Sequence, residues 1–194
     1  MAKKSIDLLA ATDPNWVAVI RKDFDAFLAD HANCERKASA LAMSLIVKYP
    51  DRVAIIPPLI ALAQEELSHF QAVYALMETR RLRITRDTRD PYVERLLELL
   101  RHGRDERFLD RLCVASLIEC RGAERFRIIS EALDDPELRT FYRNLWASEA
   151  RHGDLFATLA LEYFDADTVY PRLEEMAREE ARIIGELAWR PALH

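Results

Sequence analysis

Residues 53–77 read VAIIPPLIALAQEELSHFQAVYALM, and this stretch decides the fold. Apolar residues recur every three or four positions with no strand alternation, so the spacing predicts a helix from about Pro57 to Arg80, with a possible turn of helix before it. Residues three or four apart share a helix face. The face that carries Leu59, Leu62, Ala63, Phe70 and Val73 also carries Glu66 and His69. Burying an unpaired carboxylate costs on the order of several kcal/mol, so a glutamate in a core-facing stripe needs a partner. The pattern recurs in residues 146–164, WASEARHGDLFATLALEYF, where Glu149 and His152 share a face with Tyr142, Leu145, Trp146 and Phe156.

Each of these Glu-x-x-His helices follows another helix bearing one inward glutamate. Glu35 precedes Glu66 by 31 residues and lies on a face with Leu28, Ala32, Ala38 and Ala42. Glu119 precedes Glu149 by 30 residues, among Leu112, Ala115, Ala123 and Phe126. The turns between them contain YPD and DDP. The chain therefore reads as a duplicated helical hairpin: a helix with a lone Glu, then a helix with Glu-x-x-His. Four core-facing carboxylates would repel one another unless something cationic lay among them. Two lone glutamates plus two Glu-x-x-His pairs is the ligand set of ferritin-like di-iron and di-manganese bundles. Oxygen and imidazole donors suit iron or manganese better than a thiolate-rich structural zinc site.

The rest of the chain fits that reading. Asp13 followed by Pro14 starts a helical pattern that runs to Lys48, with a break expected near Asp30, and stops at Tyr49-Pro50. PYVERLLELLR is a short amphipathic helix ended near Gly103. Long helices follow over about Arg104–Leu133, Pro136–Phe164 and Thr168–Arg190. The expected fold class is all-α, a ferritin-like four-helix bundle with flanking helices in a single domain, 1–194. Its core spans about 14–164 and its C-terminal helix about 168–190, with residues 81–103 as the longer crossover.

Composition excludes several alternatives. Half of the residues are hydrophobic and 31% charged, with four glycines in all, which suits a helical globular protein. The longest apolar run, VAIIPPLIALA, is too short to span a bilayer, and the N-terminus does not read as a signal peptide. Three cysteines, Cys34, Cys113 and Cys120, without a CxxC, favour a reduced cytoplasmic protein without a zinc ribbon or an iron–sulfur cluster. The net charge of −5 is unevenly distributed. Residues 80–89, RRLRITRDTR, hold five arginines and one aspartate, and from 79 to 111 ten arginines face seven acids, a local +3. Arg80, Arg81, Arg83 and Arg86 are thus candidates for phosphate contact, against the alternative of a solvated crossover whose arginines pair with local acids.

Other residues near the six candidate ligands leave alternatives open. Glu65 and Ser148 precede the ligand glutamates and could hydrogen-bond the free ring nitrogens of the histidines, or be ordinary helix-surface residues. His31 lies one turn before Glu35 and suits a supporting or core role better than ligation. Glu124 is off the ligand face and is expected to pair with a nearby arginine. Gly122 and Gly153 follow Glu119 and Glu149 by about one turn and mark either close helix packing or space kept for dioxygen or substrate.

With these residues in hand, the chain resembles the MiaE family, tRNA hydroxylases that act on 2-methylthio-N6-isopentenyladenosine. The likeness runs from about Asp13 to Phe164 and is carried by DHANCERKA, AQEELSHF, IECRGAERF and FYRNLWASEARH. These contain Glu35, Glu66, His69, Glu119, Glu149 and His152. IECRGAERF departs from the family form IEARSCERF beside an intact ligand. The resemblance implies two non-haem iron ions, dioxygen as co-substrate and hydroxylation of the isopentenyl chain on adenosine 37. It also implies the tRNA anticodon arm and a ferredoxin-like or flavoprotein electron donor as partners. Competing readings are ferroxidase or iron storage, a peroxidase, a manganese catalase, or a helical interaction module without metal.

Overall fold

The computed structural model describes residues 5–194. Among them are seven α-helices, one turn of 3-10 helix and no strand. The helices are α1 (Asn15–Lys22), α2 (Phe24–Lys48), α3 (Ile56–Thr79), α4 (Pro91–Glu98), α5 (Arg104–Ala132), α6 (Pro136–Leu161) and α7 (Ala166–Glu186). The described residues divide into two compact units, one of residues 18–88 with 189–193, the other of residues 5–17, 89–188 and 194. No helix among the described residues is long and apolar enough to cross a membrane.

The first unit is built on the α2–α3 hairpin. The break before α2 falls at Asp23, not at Asp30. Asp23 caps α2 by accepting from the amide of Ala26 at 3.0 Å. Asp30 lies inside α2, and its carboxylate accepts from the backbone amide of Leu193 at 2.8 Å, a long-range bond that local sequence does not announce. Pro50 ends α2, since a residue before proline avoids the α region. A 3-10 turn over Val53–Ile55 then leads into α3, whose first turn holds Pro57 and Pro58 where amides need no partner. Ser39 Oγ donates to the carbonyl of Ala63 at 2.8 Å and ties the two helices. Phe27, Leu28, Leu45, Leu59 and Val73 form the apolar core, all with no exposed surface. The end of α3 is a Schellman turn: Leu82 N bonds the Met77 carbonyl and Arg81 N the Glu78 carbonyl, both at 2.9 Å. Arg81 sits there at φ +57°, the left-handed place that glycine fills most cheaply.

The second unit is built on the α5–α6 hairpin, with α4 and α7 packed on α5. Asp135 caps α6, accepting from Glu137 N at 2.8 Å and Leu138 N at 3.2 Å. Ser116 Oγ of α5 donates to the Gly153 carbonyl of α6 at 2.8 Å. A Cβ at Gly153 would meet Cys120 Sγ at 2.6 Å and the Ser116 carbonyl at 3.3 Å. Gly153 is therefore the place where α5 and α6 approach closely, which decides one of the two glycines. A Cβ at Gly122 would touch only His194, at 3.9 Å, so no helix presses on it.

The two hairpins have equal arms. Glu35 lies thirteen residues before the end of α2 at Lys48, and Glu119 thirteen before the end of α5 at Ala132. Glu66 lies thirteen after Val53, where helical structure resumes, and Glu149 thirteen after Pro136. The connections between the arms are residues 49–52 in one hairpin and 133–135 in the other.

Candidate metal centre

Each hairpin assembles three donor groups. In the first, donor atoms of Glu35, Glu66 and His69 all lie within 4.8 Å of one another. His69 Nδ1 is 3.4 Å from Glu66 Oε2 and 3.6 Å from Glu35 Oε2. In the second, the donor atoms of Glu119, Glu149 and His152 lie within the same 4.8 Å. His152 Nδ1 is 2.8 Å from Glu149 Oε2 and 3.9 Å from Glu119 Oε2. The i, i+3 spacing along α3 and α6 puts Glu and His on one face, and the hairpin partner supplies the third group.

All four carboxylates are buried, Glu119 the most open at 8% exposure. Each hairpin thus sequesters two acids and an imidazole in a cluster narrow enough for one ion to touch all three. Two carboxylates match one divalent charge, and mixed oxygen and imidazole donors are those of iron or manganese. The residues present fit a divalent metal in each hairpin. The thiols do not join them. Burial and then the charge of Glu119 push Cys120 up to about 11, and burial and then Asp110 push Cys113 up to about 12. Both stay protonated and are poor metal donors at neutral pH.

Around these clusters, His31 is fully buried and its Nε2 lies 2.5 Å from Glu35 Oε1. Its ring stacks on Phe27 with centroids 6.0 Å apart. Ser148 is buried and takes a 3.4 Å hydrogen bond from Arg151 Nη2. Glu65 is half-buried on α3. Trp146, expected on the inward face of α6, is 36% exposed, because the stripe of Tyr142, Leu145, Glu149 and His152 leaves it at the margin.

The arginine segment is exposed at Arg80, Arg81, Arg83 and Arg86. Arg80 is committed locally: its guanidinium meets Asp25 Oδ1 at 2.6 Å through Nη2 and lies over the Phe24 ring at 5.4 Å. Lys37 reaches Asp87 at 3.0 Å, which fastens part of this segment to α2.

Sequence reasoning missed the buried ionic network of α5. Arg121, two residues after Glu119, is fully buried. It grips Glu180 of α7 with Nε at 2.8 Å and Nη2 at 3.0 Å, pairs with Glu124, and donates to the Ala10 carbonyl at 2.8 Å. Tyr92 Oη donates to the same Glu180 at 3.0 Å. Arg125, also buried, lies over the Trp16 ring at 4.8 Å. Farther along α5, Asp110 holds Arg101 and Arg172, each at 2.8 Å. Glu124 does pair with an arginine, as its off-face position implied. The remaining signal, Arg121 and Arg125 one turn apart on an apolar helix, was visible, but its partner in α7 was not.

A Pseudomonas putida protein named tRNA 2-(methylsulfanyl)-N(6)-isopentenyladenosine(37) hydroxylase is 35% identical over 89% of this chain and 84% of its own. A Salmonella typhimurium protein of the same name is 27% identical over 89% of this chain and 82% of its own. A solved structure titled Protein 43 with aldehyde deformylating oxygenase activity, from Synechococcus, superposes with a TM-score of 0.91 at 35% identity, covering 96% of this chain and 94% of that one. The all-α, ferritin-like fold expected from the ligand pattern is the fold observed. Residues 1–194 match the family described as tRNA-(MS[2]IO[6]A)-hydroxylase (MiaE), and the chain belongs to that family.

Proposed function

We propose that this protein is a non-haem di-iron monooxygenase acting on tRNA. Its substrate is the isopentenyl side chain of 2-methylthio-N6-isopentenyladenosine at position 37. Its iron ligands are Glu35, Glu66, His69, Glu119, Glu149 and His152, within one ferritin-like domain. The observation that carries this reading is the pair of Glu, Glu and His clusters, each within 4.8 Å and with its carboxylates buried, in a chain of this family. When bound, iron would supply the redox chemistry: dioxygen takes two electrons and two protons, one oxygen atom enters a C–H bond to give an alcohol, and the other leaves as water. The chain's own part is to fix the donors and keep water out. Leu59, Leu62 and Val73 are buried on the helix that carries the first Glu-x-x-His pair, as Leu112 and Phe126 are on α5 and Phe156 on α6. The electrons come from a ferredoxin-like or flavoprotein donor, and the cytoplasm is where the tRNA is met.

A nucleobase in an anticodon loop is single-stranded and can be splayed into a pocket. For the surrounding phosphates the reading favours Arg81, Arg83 and Arg86, since Arg80 is held by Asp25. An arginine kept in a left-handed position at some conformational cost suits a residue retained for contact. Replacing these three by Gln is expected to weaken tRNA binding and lower its salt slope by roughly one per lost phosphate contact, with iron content unchanged. An unaltered slope would move the RNA surface elsewhere.

The likeness to the Synechococcus protein supports one second reading, an oxygenase whose substrate is an aldehyde that loses its formyl carbon. One experiment separates the two. Iron is measured in protein from iron-supplemented cells, and the reduced enzyme is then offered tRNA carrying the unhydroxylated nucleoside or an aliphatic aldehyde. Two irons per chain and the hydroxylated nucleoside are expected. Turnover of the aldehyde alone would establish the second reading. His69→Ala and His152→Ala should each lower iron content and abolish hydroxylation in a protein that remains helical.

A further inference from the structure

The outward face of α6 is unlike that of α3, its counterpart in the internal repeat. Between residues 138 and 153 the charged side chains are Arg139, Arg143, Glu149 and Arg151, and Glu149 alone is buried. The exposed charge of this stretch is therefore all positive. Arg139 and Arg143 are exposed and pair with no acid among the described residues. Arg151, on the flank, is turned to the Ala147 carbonyl at 3.2 Å. Asp135, one turn before Arg139, is engaged as the cap of α6. Trp146 follows Arg143 by three residues and Arg139 by seven, so the indole and the two guanidinium groups share a face about 10 Å long. The indole is 36% exposed on that face. Glu149 follows Glu66 by 83 residues, and at that offset α3 has Ile56, Ile60 and Ala63 in these places, with Ser68 for Arg151. The donor clusters recur in both hairpins and this face does not, so holding metal does not require it.

Resting on the tRNA reading above, we infer that this face binds single-stranded nucleotides of the anticodon loop. The Trp146 indole is the platform on which a base next to the modified one stacks, and Arg139 and Arg143 hold the flanking phosphates. Unpaired nucleotides are held in this way, a π-face taking the base and guanidinium forks the backbone. Positive charge alone would suit an acidic protein as well. Two unpaired arginines with an exposed indole one turn on suit RNA better, since every base offers a face to stack and every nucleotide a phosphate. The position fits the proposed chemistry: Trp146 lies three residues, about 4.5 Å along the helix, ahead of Glu149, so the platform begins one turn from the second donor cluster. This contact is additional to Arg81, Arg83 and Arg86 and does not depend on them.

The test uses iron-loaded protein and a labelled anticodon stem-loop carrying 2-methylthio-N6-isopentenyladenosine at position 37. Trp146→Ala should weaken binding by about 5–150-fold, the worth of one stacked base, and leave the salt slope unchanged. Trp146→Phe, which keeps an aromatic face, should recover most of the loss. Arg139→Gln combined with Arg143→Gln should lower the salt slope by about 0.7 for each phosphate released. Of two RNAs made abasic on either side of position 37, one should lose the same factor as Trp146→Ala, and that substitution should then weaken it no further. A tryptophan that only packed α6 would lower helicity or iron content in Trp146→Ala and leave both abasic RNAs as sensitive to it as the intact one, which would overturn the inference. Wild-type affinity and salt slope in Trp146→Ala and in the arginine pair would overturn it too. If those variants were also reduced more slowly by ferredoxin but normally by dithionite, the face would belong to the electron donor. These results leave the tRNA hydroxylase reading standing as long as wild-type protein binds and hydroxylates the RNA. Wild-type protein that did not bind it would overturn both.

Discussion

The close approach at Gly153 can be tested quantitatively. Alanine is about 1 kcal/mol better than glycine inside a helix, so Gly153→Ala would stabilise α6 if nothing stood in the way. The structure puts Cys120 Sγ 2.6 Å from the new methyl, well inside contact, and the Ser116 carbonyl at 3.3 Å. The sulfur can be relieved only by leaving its rotamer. The carbonyl belongs to the backbone of α5 and yields only if the helices part, which stretches the 2.8 Å bond from Ser116 Oγ to the Gly153 carbonyl. Overpacking of this kind costs about 1–3 kcal/mol. Set against the propensity gain, Gly153→Ala should be destabilised by about 0–2 kcal/mol. Removing the sulfur changes the balance. Gly153→Ala combined with Cys120→Ala keeps the propensity gain and loses the worst clash, so urea melts of the four metal-free proteins should show a favourable coupling of about 1–3 kcal/mol. Metal content should follow: spreading α5 from α6 draws His152, next to Gly153, and Glu149 away from Glu119, and the double variant should regain what the single one loses. A Gly153→Ala protein about 1 kcal/mol more stable than wild type, with no coupling to Cys120, would refute the reasoning.

Arg81→Gly should raise stability by about 0.5–1 kcal/mol in a urea melt, since glycine accepts the left-handed position without penalty. Glu180→Ala leaves the buried Arg121 without its bidentate partner and should cost about 3–5 kcal/mol. Burial alone would raise the carboxyl of Asp110, but hydrogen bonds from Arg101 and Arg172 outweigh it and hold it below its ordinary value. The stability it contributes is complete above the unfolded value of about 3.9 and drains away as pH falls through the lower folded value. The lead of wild type over Asp110→Asn should therefore narrow below about pH 4, read as melting temperature against pH. Loading metal to a hundred times its dissociation constant should add about 2.7 kcal/mol, a rise of roughly 5–10 °C in melting temperature that a chelator reverses.

What could be read from the chain alone was whatever is periodic. The hairpins, the proline-marked starts of α3, α4 and α6, and the six inward donors all follow from spacing along a helix, which is a local property. The failures were non-local. The break expected near Asp30 falls instead at Asp23, which caps α2, while Asp30 stays within the helix and takes a hydrogen bond from Leu193, 163 residues on. Arg121 and Glu180 are 59 residues apart, and an acid in the amphipathic helix α7 gives no sign that it will be buried. His31 was placed near Glu35 by its i, i+4 spacing, but which oxygen it holds is a matter of rotamers that sequence does not specify.

The equal arms of the two hairpins bear on how such a chain can change length. Each residue added to an α-helix turns everything beyond it by about 100° and advances it by about 1.5 Å. A single insertion between Glu35 and Lys48, or between Pro136 and Glu149, would swing a donor out of its cluster however well the new residue favoured helix. The one-residue difference between the hairpins falls instead in the connections, 49–52 against 133–135, where added chain leaves the phase of the arms unchanged. Lengths drift at the hairpin tips while the arms act as gauges cut to a fixed number of residues. Lengthening the 133–135 connection by one residue should therefore be tolerated, whereas the same insertion within α6 ahead of Glu149 should leave a helical protein with half its metal.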